Sequence, residues 1–182
     1  MRGRRNASQG KYRSLFKTPF GFGGVVAGEK GLLRVFLPFS GESGDVLGGR
    51  IAALYPDAVK EDRLTRRAAL LLVSYFAGER VVFDVLVDMT GFTAFQVAVY
   101  VAVSGIPYGS ATSYGEIAAR IGRPGASRGV GGAMAANPLP LIIPCHRVLG
   151  ASGELTGYSA PGGVVSKKWL LDMEAENLSR IR

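Results

Sequence analysis

The sequence predicts an α+β protein: a small β-sheet with a helix in the first half, and a mainly helical second half. Three observations carry that reading. Phe20 to Ala27 and Leu32 to Phe39 are apolar, aromatic-rich runs flanking Gly28-Glu29-Lys30-Gly31, the pattern of two strands and their turn. Between Asp57 and Gly78 the apolar residues Leu64, Ala68, Leu71, Leu72, Tyr75 and Phe76 recur at helical spacing. Beyond Asp88 the chain shows several helical stretches that open on capping residues and close on Gly or Pro.

Taken in order, residues 1–17 carry Arg2, Arg4, Arg5, Lys11, Arg13 and Lys17 and no acid. They read either as a flexible arm that brushes nucleic acid or as a solvated tail. The hairpin follows, then a Gly/Ser-rich connection from Ser40 to Gly49, then the amphipathic helix. Val81 to Val87 is a short apolar, strand-like segment running into Asp88-Met89-Thr90-Gly91, where we place a boundary between residues 1–88 and 89–182. Thr93 is the expected N-cap of a helix to about Ser104, stopped by Gly105-Ile106-Pro107-Tyr108-Gly109. Ser113 with Glu116 forms a capping box for a short helix bearing Tyr114, Ile117, Ala118 and Ile121. A third helix spans about Ala126 to Ala136 and ends before Asn137-Pro138, since the residue before proline disfavours helix. Two short helices joined by a Gly-containing turn read as a helix-turn-helix. The second is built of small residues around Arg128, which suits close approach to a partner backbone or tight packing in the core. Gly150 to Gly157 reads as a hairpin or wing, and the last helix runs from about Val164 to Leu178.

Composition sets bounds. A chain of 182 residues with 47% hydrophobic content has material for an ample core. No apolar run reaches the roughly 18 residues that span a membrane, and the basic start has no apolar stretch behind it, so a cytoplasmic protein is expected. The net charge of +8 favours a polyanionic partner, because cations near phosphates release condensed counterions. Cys145 and His146 are the sole cysteine and histidine. They exclude an intrachain disulfide and cannot by themselves close a tetrahedral zinc site.

The pair itself, in Pro144-Cys145-His146-Arg147-Val148, has two readings. A buried cysteine is usually a small hydrophobe, and a histidine beside it a packed, satisfied neighbour. The alternative is a nucleophile and its base, since the thiolate is the reactive form and histidine titrates nearest neutrality. Adjacent side chains on a strand point to opposite faces, so the two could communicate only through a turn or a bridging water.

Over roughly residues 90–178 the chain resembles the O6-alkylguanine-DNA alkyltransferases. The resemblance rests on Phe95-Gln96, Ile106-Pro107-Tyr108-Gly109, Ser113-Tyr114, Arg128 with Val130-Gly131, Asn137-Pro138, Ile143 to Val148, Tyr158-Ser159, and Trp169-Leu170-Leu171 followed by Glu174. It implies a ribonuclease H-like first half and a winged helix-turn-helix second half. It also implies a suicide DNA repair methyltransferase, acting on O6 of guanine, and on O4 of thymine, in duplex DNA. Neither cofactor nor metal is implied, and neither a membrane nor an obligate protein partner; the protein is expected to be a monomer in the compartment that holds the DNA.

Carried over residue by residue, the resemblance makes Cys145 the nucleophile and His146 its base through a water. Glu174 orients the imidazole, with Asp172 as a rival carboxylate. Tyr114 donates toward the base, with Lys167 in support, though Lys168 leaves that register open by one. Asn137 ties the turn before Cys145 to the helix-turn-helix, or caps it before Pro138. Arg128 enters the gap left by a flipped base, helped at the DNA surface by Ser113, Ala126 and Ala135. Val148, Tyr158, Ser159 and Pro140 form the substrate pocket. Ala160-Pro161-Gly162-Gly163 departs from a regular pattern, and Leu155 and Thr156 set access for bulky groups. A non-catalytic recognition protein and a DNA-binding regulator are the competing functions; the presence of Cys145 argues against the first, and both Cys145 and Glu174 against the second.

Overall fold

The computed structural model describes residues 10–38 and 41–179. Six strands and six α-helices are defined there. Strands β1 (Lys11–Thr18), β2 (Gly21–Gly28) and β3 (Gly31–Phe36) form an antiparallel meander, and β4 (Ala58–Val59) adds parallel to β1, in the order β3-β2-β1-β4. The expected hairpin is present, with Gly28 opposite Gly31. Gly31 takes φ +147°, and a Cβ there would lie 2.7 Å from the backbone of Val87 and Asp88, so glycine is required.

The basic arm expected over residues 1–17 is corrected in part. Residues 11–17 lie in β1, where Ser14, Phe16 and Thr18 point inward and Leu15 and Lys17 outward. Inward Phe16 lies across Gly23, where a Cβ would come within 2.3 Å of the ring. Residues 1–9 lie outside the described residues. The Gly/Ser-rich connection also differs, because helix α1 (Gly44–Leu54) begins inside it. Ser43 caps α1, and Leu47 and Ile51, one turn apart, bury against Val26 and Phe36. A moderate apolar signal spread over glycines concealed it.

Helix α2 (Arg63–Phe76) starts later than the periodicity suggests, because the Asp62–Thr65 capping box fixes its first turn. Val81 to Val87 does not form a strand. It runs extended past β3 with a single bridge, Leu32 to Val87, held by Leu32 N–H to Leu86 O at 2.8 Å and Asp88 N–H to Leu32 O at 3.0 Å.

The second half contains α3 (Ala94–Ser104), β5 (Thr112–Ser113), α4 (Tyr114–Arg120), α5 (Ser127–Ala135), a 3₁₀ turn over Cys145–Arg147, β6 (Val148–Leu149) and α6 (Gly163–Ser179). Thr93 and Ser113 cap α3 and α4 as expected, each within a capping box. β5 pairs parallel with β6, which pins the start of α4 to the chain leaving Cys145. The hairpin expected over Gly150 to Gly157 is instead a turn closed by Gly150 N–H to Glu154 O, with no strand.

One apolar cluster runs through both halves, from Val25, Leu72 and Tyr75 to Val99, Ile143 and Leu170. Phe20, Phe76 and Trp169 add an aromatic contact between the hairpin, α2 and α6, with the Phe20 and Trp169 centroids 4.4 Å apart. Among the described residues no helix is long and apolar enough to cross a membrane.

Candidate active site around Cys145

Cys145 is reached through a strained turn. Leu141, in Leu139 to Ile143, adopts φ +73° without being a glycine, a conformation that costs on the order of 1 kcal/mol and persists only when surroundings impose it. Asn137 imposes it here. Its Nδ2 donates to Ile143 O at 2.9 Å and its Oδ1 accepts from Leu139 N–H at 2.9 Å. Leu139, Leu141 and Ile143 are then buried. The chain enters the 3₁₀ turn with Cys145 only 5% exposed.

That turn resolves the geometry of the adjacent pair. In a 3₁₀ helix neighbouring side chains diverge by about 120°, not the 180° of a strand. His146 points inward, fully buried, and its Nε2 lies 2.9 Å from Glu174 Oε1 on α6. A carboxylate only accepts, so Nε2 carries the hydrogen and Nδ1 is left with its lone pair. Nδ1 is buried and has no hydrogen-bond partner among the described residues.

Glu174 is the most heavily bonded side chain among the described residues. It accepts from His146, from Arg147 Nη2 at 2.8 Å and Nε at 3.0 Å, from the Tyr75 hydroxyl at 2.6 Å, and from Gly109 N–H at 2.8 Å. Burial alone would raise its pKa; the hydrogen bonds and charges of His146 and Arg147 outweigh that and hold it at about 2. Gly109 reaches this position at φ +71°, and a Cβ there would strike Leu178. Arg147 also donates to Ile106 O at 2.7 Å and lies over the Tyr108 ring.

Burial pushes the His146 pKa below its ordinary 6.5, against the pull of Glu174, so the imidazole is neutral at pH 7. Burial likewise pushes the Cys145 thiol up, opposed by Asn137, Lys167 and nearby backbone N–H groups. A protonated thiol and a neutral imidazole are the starting states for proton removal by a base.

A cavity of about 700 Å³ opens above Cys145, lined by Tyr114, Arg128, Gly131, Ala135, Tyr158 and Ser159 among others. Arg128, exposed at the start of α5, makes no hydrogen bond or ion pair among the described residues. Tyr114 accepts a hydrogen bond from Thr156 Oγ1 at 3.0 Å, which leaves its own hydroxyl hydrogen free to donate. Lys167 is fully buried, donates to Val148 O at 2.6 Å and Thr156 O at 3.1 Å, and sits 5.8 Å from the Tyr114 ring centre. Lys168 is exposed and pairs with Asp172 at 2.6 Å. Neither of those two lines the cavity, whereas Lys167 and Glu174 are fully buried.

Other expected residues divide. Val148 is buried, does not line this cavity, and spends its carbonyl on Lys167. Ser113 and Ala126 sit at the starts of α4 and α5 and do not line the cavity. Pro140 lies in an adjoining cavity of about 510 Å³ that shares Cys145, Ala135, Tyr158 and Ser159. Sequence reasoning missed Tyr75, Arg147 and Gly109 as members of the Glu174 cluster. An arginine inside an apolar run was a usable signal; Tyr75 gave none, because it sits on the apolar face of its helix. No cluster of three or more His, Cys, Asp or Glu able to hold a metal occurs among the described residues.

Residues 94–176 match the model of the 6-O-methylguanine DNA methyltransferase, DNA binding domain. The chain is 41% identical over 164 residues to a methylated-DNA–protein-cysteine methyltransferase of Methanosarcina acetivorans, covering 90% of this chain and 97% of that protein. It is 52% identical over 103 residues to the enzyme of that name from Salmonella typhimurium; the match covers 57% of this chain but only 59% of the relative's length. Among solved structures, that of Mycobacterium tuberculosis OGT in complex with DNA superposes with TM-score 0.73 at 38% identity, over 91% of this chain and 94% of that one.

Proposed function

The chain belongs to the methylated-DNA–protein-cysteine methyltransferase family, and from that premise we propose that it repairs O6-alkylated guanine in duplex DNA by moving the alkyl group irreversibly onto Cys145. The observation that carries this reading is the arrangement behind the thiol. Cys145 forms part of an open cavity, and His146 beside it is buried, neutral and locked by Glu174 into the tautomer whose free nitrogen, Nδ1, can accept a proton.

In the proposed step the Cys145 proton passes through a water to His146 Nδ1. Glu174 stabilises the imidazolium that results. The Sγ electron pair forms a bond to the alkyl carbon, the bond from that carbon to O6 breaks, and its electron pair leaves on the guanine. Tyr114 supplies a proton to the departing base and recovers one through solvent from His146. Net, the thiol proton ends on guanine and a thioether remains on the protein. Nothing in the site hydrolyses a thioether, so each molecule acts once. Asn137 holds the turn that presents Cys145, and Lys167 fixes the 148 and 156 segments around Tyr114.

A base inside a duplex must leave the stack to reach such a cavity. We assign Arg128 to the gap it leaves, because a guanidinium can both stack and hydrogen-bond there. The small residues of α5 allow approach to a narrow groove, so phosphate contacts dominate and sequence preference is low. In this reading α4 and α5 form a helix-turn-helix with the 150–162 loop as its wing, residues 89–182 carry DNA binding and transfer, and residues 1–88 are a ribonuclease H-like support. The protein acts as a monomer.

Incubation with duplex DNA containing O6-methylguanine is expected to add the mass of one methylene to the peptide bearing Cys145, at one equivalent, by mass spectrometry. An unshifted mass under conditions where the DNA is bound would sink the proposal. Cys145→Ser is expected to bind the same DNA and transfer nothing.

A further inference from the structure

The 510 Å³ cavity that adjoins the first differs from it in kind. Cys145, Ala135, Tyr158 and Ser159 line both, so the two spaces adjoin at Cys145. Its lining also includes residues of the N-terminal sheet and α1: Arg34 and Phe36 of β3 and Arg50 of α1. The two guanidinium groups lie 5.4 Å and 5.2 Å from the centre of the Phe36 ring. Arg50 is answered by Glu42 at 2.6 Å. Arg34 has no hydrogen bond or ion pair among the described residues. The Tyr158 hydroxyl, in the shared wall, is buried without a hydrogen-bond partner. A cation without a hydrogen bond or ion pair among the described residues thus lines a space that Cys145 also lines.

Displacement at carbon needs the sulfur and the leaving oxygen in line. The rest of an alkyl group must then project sideways from that line. If the base enters through the cavity bearing Arg128, the adjoining cavity is an available direction for a large substituent. Resting on the proposed alkyl transfer, we propose that this second cavity receives the far end of bulky O6 substituents and that Arg34 selects arms ending in a carboxylate. The transfer itself is unchanged: sulfur bonds to the first carbon of the arm, that carbon leaves O6, and the carboxylate takes no part except by pairing with Arg34.

The test uses duplex oligonucleotides carrying O6-methylguanine, O6-(4-carboxybenzyl)guanine or O6-(4-carbamoylbenzyl)guanine, with transfer to the protein followed by mass spectrometry. The two benzyl arms match in length and shape and differ in charge. The full-length protein is expected to take the carboxylate faster than the amide by roughly threefold to tenfold, the range of a charge-assisted contact at a partly exposed site. Arg34→Ala is expected to erase that preference while methyl transfer stays at the unaltered protein's rate, which also reports that the variant folds. Arg34→Lys is expected to keep part of the preference. A carboxylate-to-amide ratio unmoved by Arg34→Ala overturns the inference. So does an equal slowing of all three substrates, which assigns Arg34 to DNA, or transfer of methyl with neither benzyl arm. Failure of methyl transfer to the unaltered protein overturns the alkyl-transfer reading beneath it.

Discussion

At the scale of single residues, the site is governed by how many groups converge on Glu174. Four donor groups from three separate segments meet its two oxygens, and the result is a carboxylate that stays ionised while buried. Tyr75 is the donor with no part in the sequence motif. Tyr75→Phe keeps the ring in its aromatic packing and removes the 2.6 Å bond. A hydrogen bond to a charged group contributes about 1.5–3 kcal/mol, and a loss of that size is expected in denaturant unfolding. The same variant is expected to move the acid limb of the transfer rate. In the unaltered protein the depressed His146 pKa keeps the base neutral below pH 6.5, so the rate should hold to more acid pH than an ordinary histidine allows. With one donor fewer, Glu174 pulls harder on the imidazolium, the His146 pKa rises, and the limb shifts toward neutrality. A pH–rate profile that does not move would make Tyr75 a packing residue only.

At the scale of elements, the proposed function rests on two short pieces: the turn from Asn137 to Cys145, and α5. Asn137→Ala leaves Leu139 N–H without a partner and Ile143 O with only the Cys145 N–H, in a buried turn that already contains Leu141 at positive φ. Leaving buried polar groups unsatisfied costs about 1–3 kcal/mol, so the unfolding midpoint should fall accordingly and transfer should slow as the turn relaxes. α5 makes a different prediction. Arg128→Ala removes no hydrogen bond or ion pair within the described residues and should leave stability unchanged. Repair within duplex DNA is expected to fall far more than reaction with a free O6-alkylguanine base. Equal losses on both substrates would refute a role in base extrusion.

At the scale of the whole molecule, the continuous core means that the two halves stand or fall together. Tyr75 and Phe76 come from the first half, Glu174 and Trp169 from the last helix, and both pairs meet. Stability should therefore follow the ionisation of the buried cluster. Glu174 has a folded pKa of about 2 against an ordinary 4.5. A depressed carboxylate contributes stability that is present above 4.5 and lost as pH falls toward 2. His146, depressed from 6.5 by burial, has the same sign: its contribution is present above 6.5 and declines below it, because the unfolded chain binds the proton first. One cooperative transition is expected, its midpoint falling from about pH 6.5 downward and more steeply below about pH 4.5, measurable by thermal melts across pH. Two separate transitions would mean the halves unfold independently.

Much of this was legible along the chain because it is written in local chemistry. Thr93 and Ser113 announce their helices through side-chain caps, Gly28 and Gly31 mark their turn, and the blocks around Cys145 carry the family resemblance through order and spacing. The first strand and α1 were not legible. A strand with exposed lysines and a helix begun among glycines take their form from the neighbours they bury against, Gly23 under Phe16 and Val26 under Ile51. In the proposed function the sequence by itself pointed to Cys145 and His146, since the family resemblance asks for one residue of each type and the chain carries a single copy of both. Only the tertiary structure decided how they are placed. Whether Asp172 or Glu174 faces the imidazole, which of two lysines is buried, and that Arg147, Gly109 and Tyr75 complete the cluster all depend on long-range packing. Those contacts join residues up to 99 positions apart, and a hydrogen bond between distant residues leaves no periodic trace in either of the segments it connects.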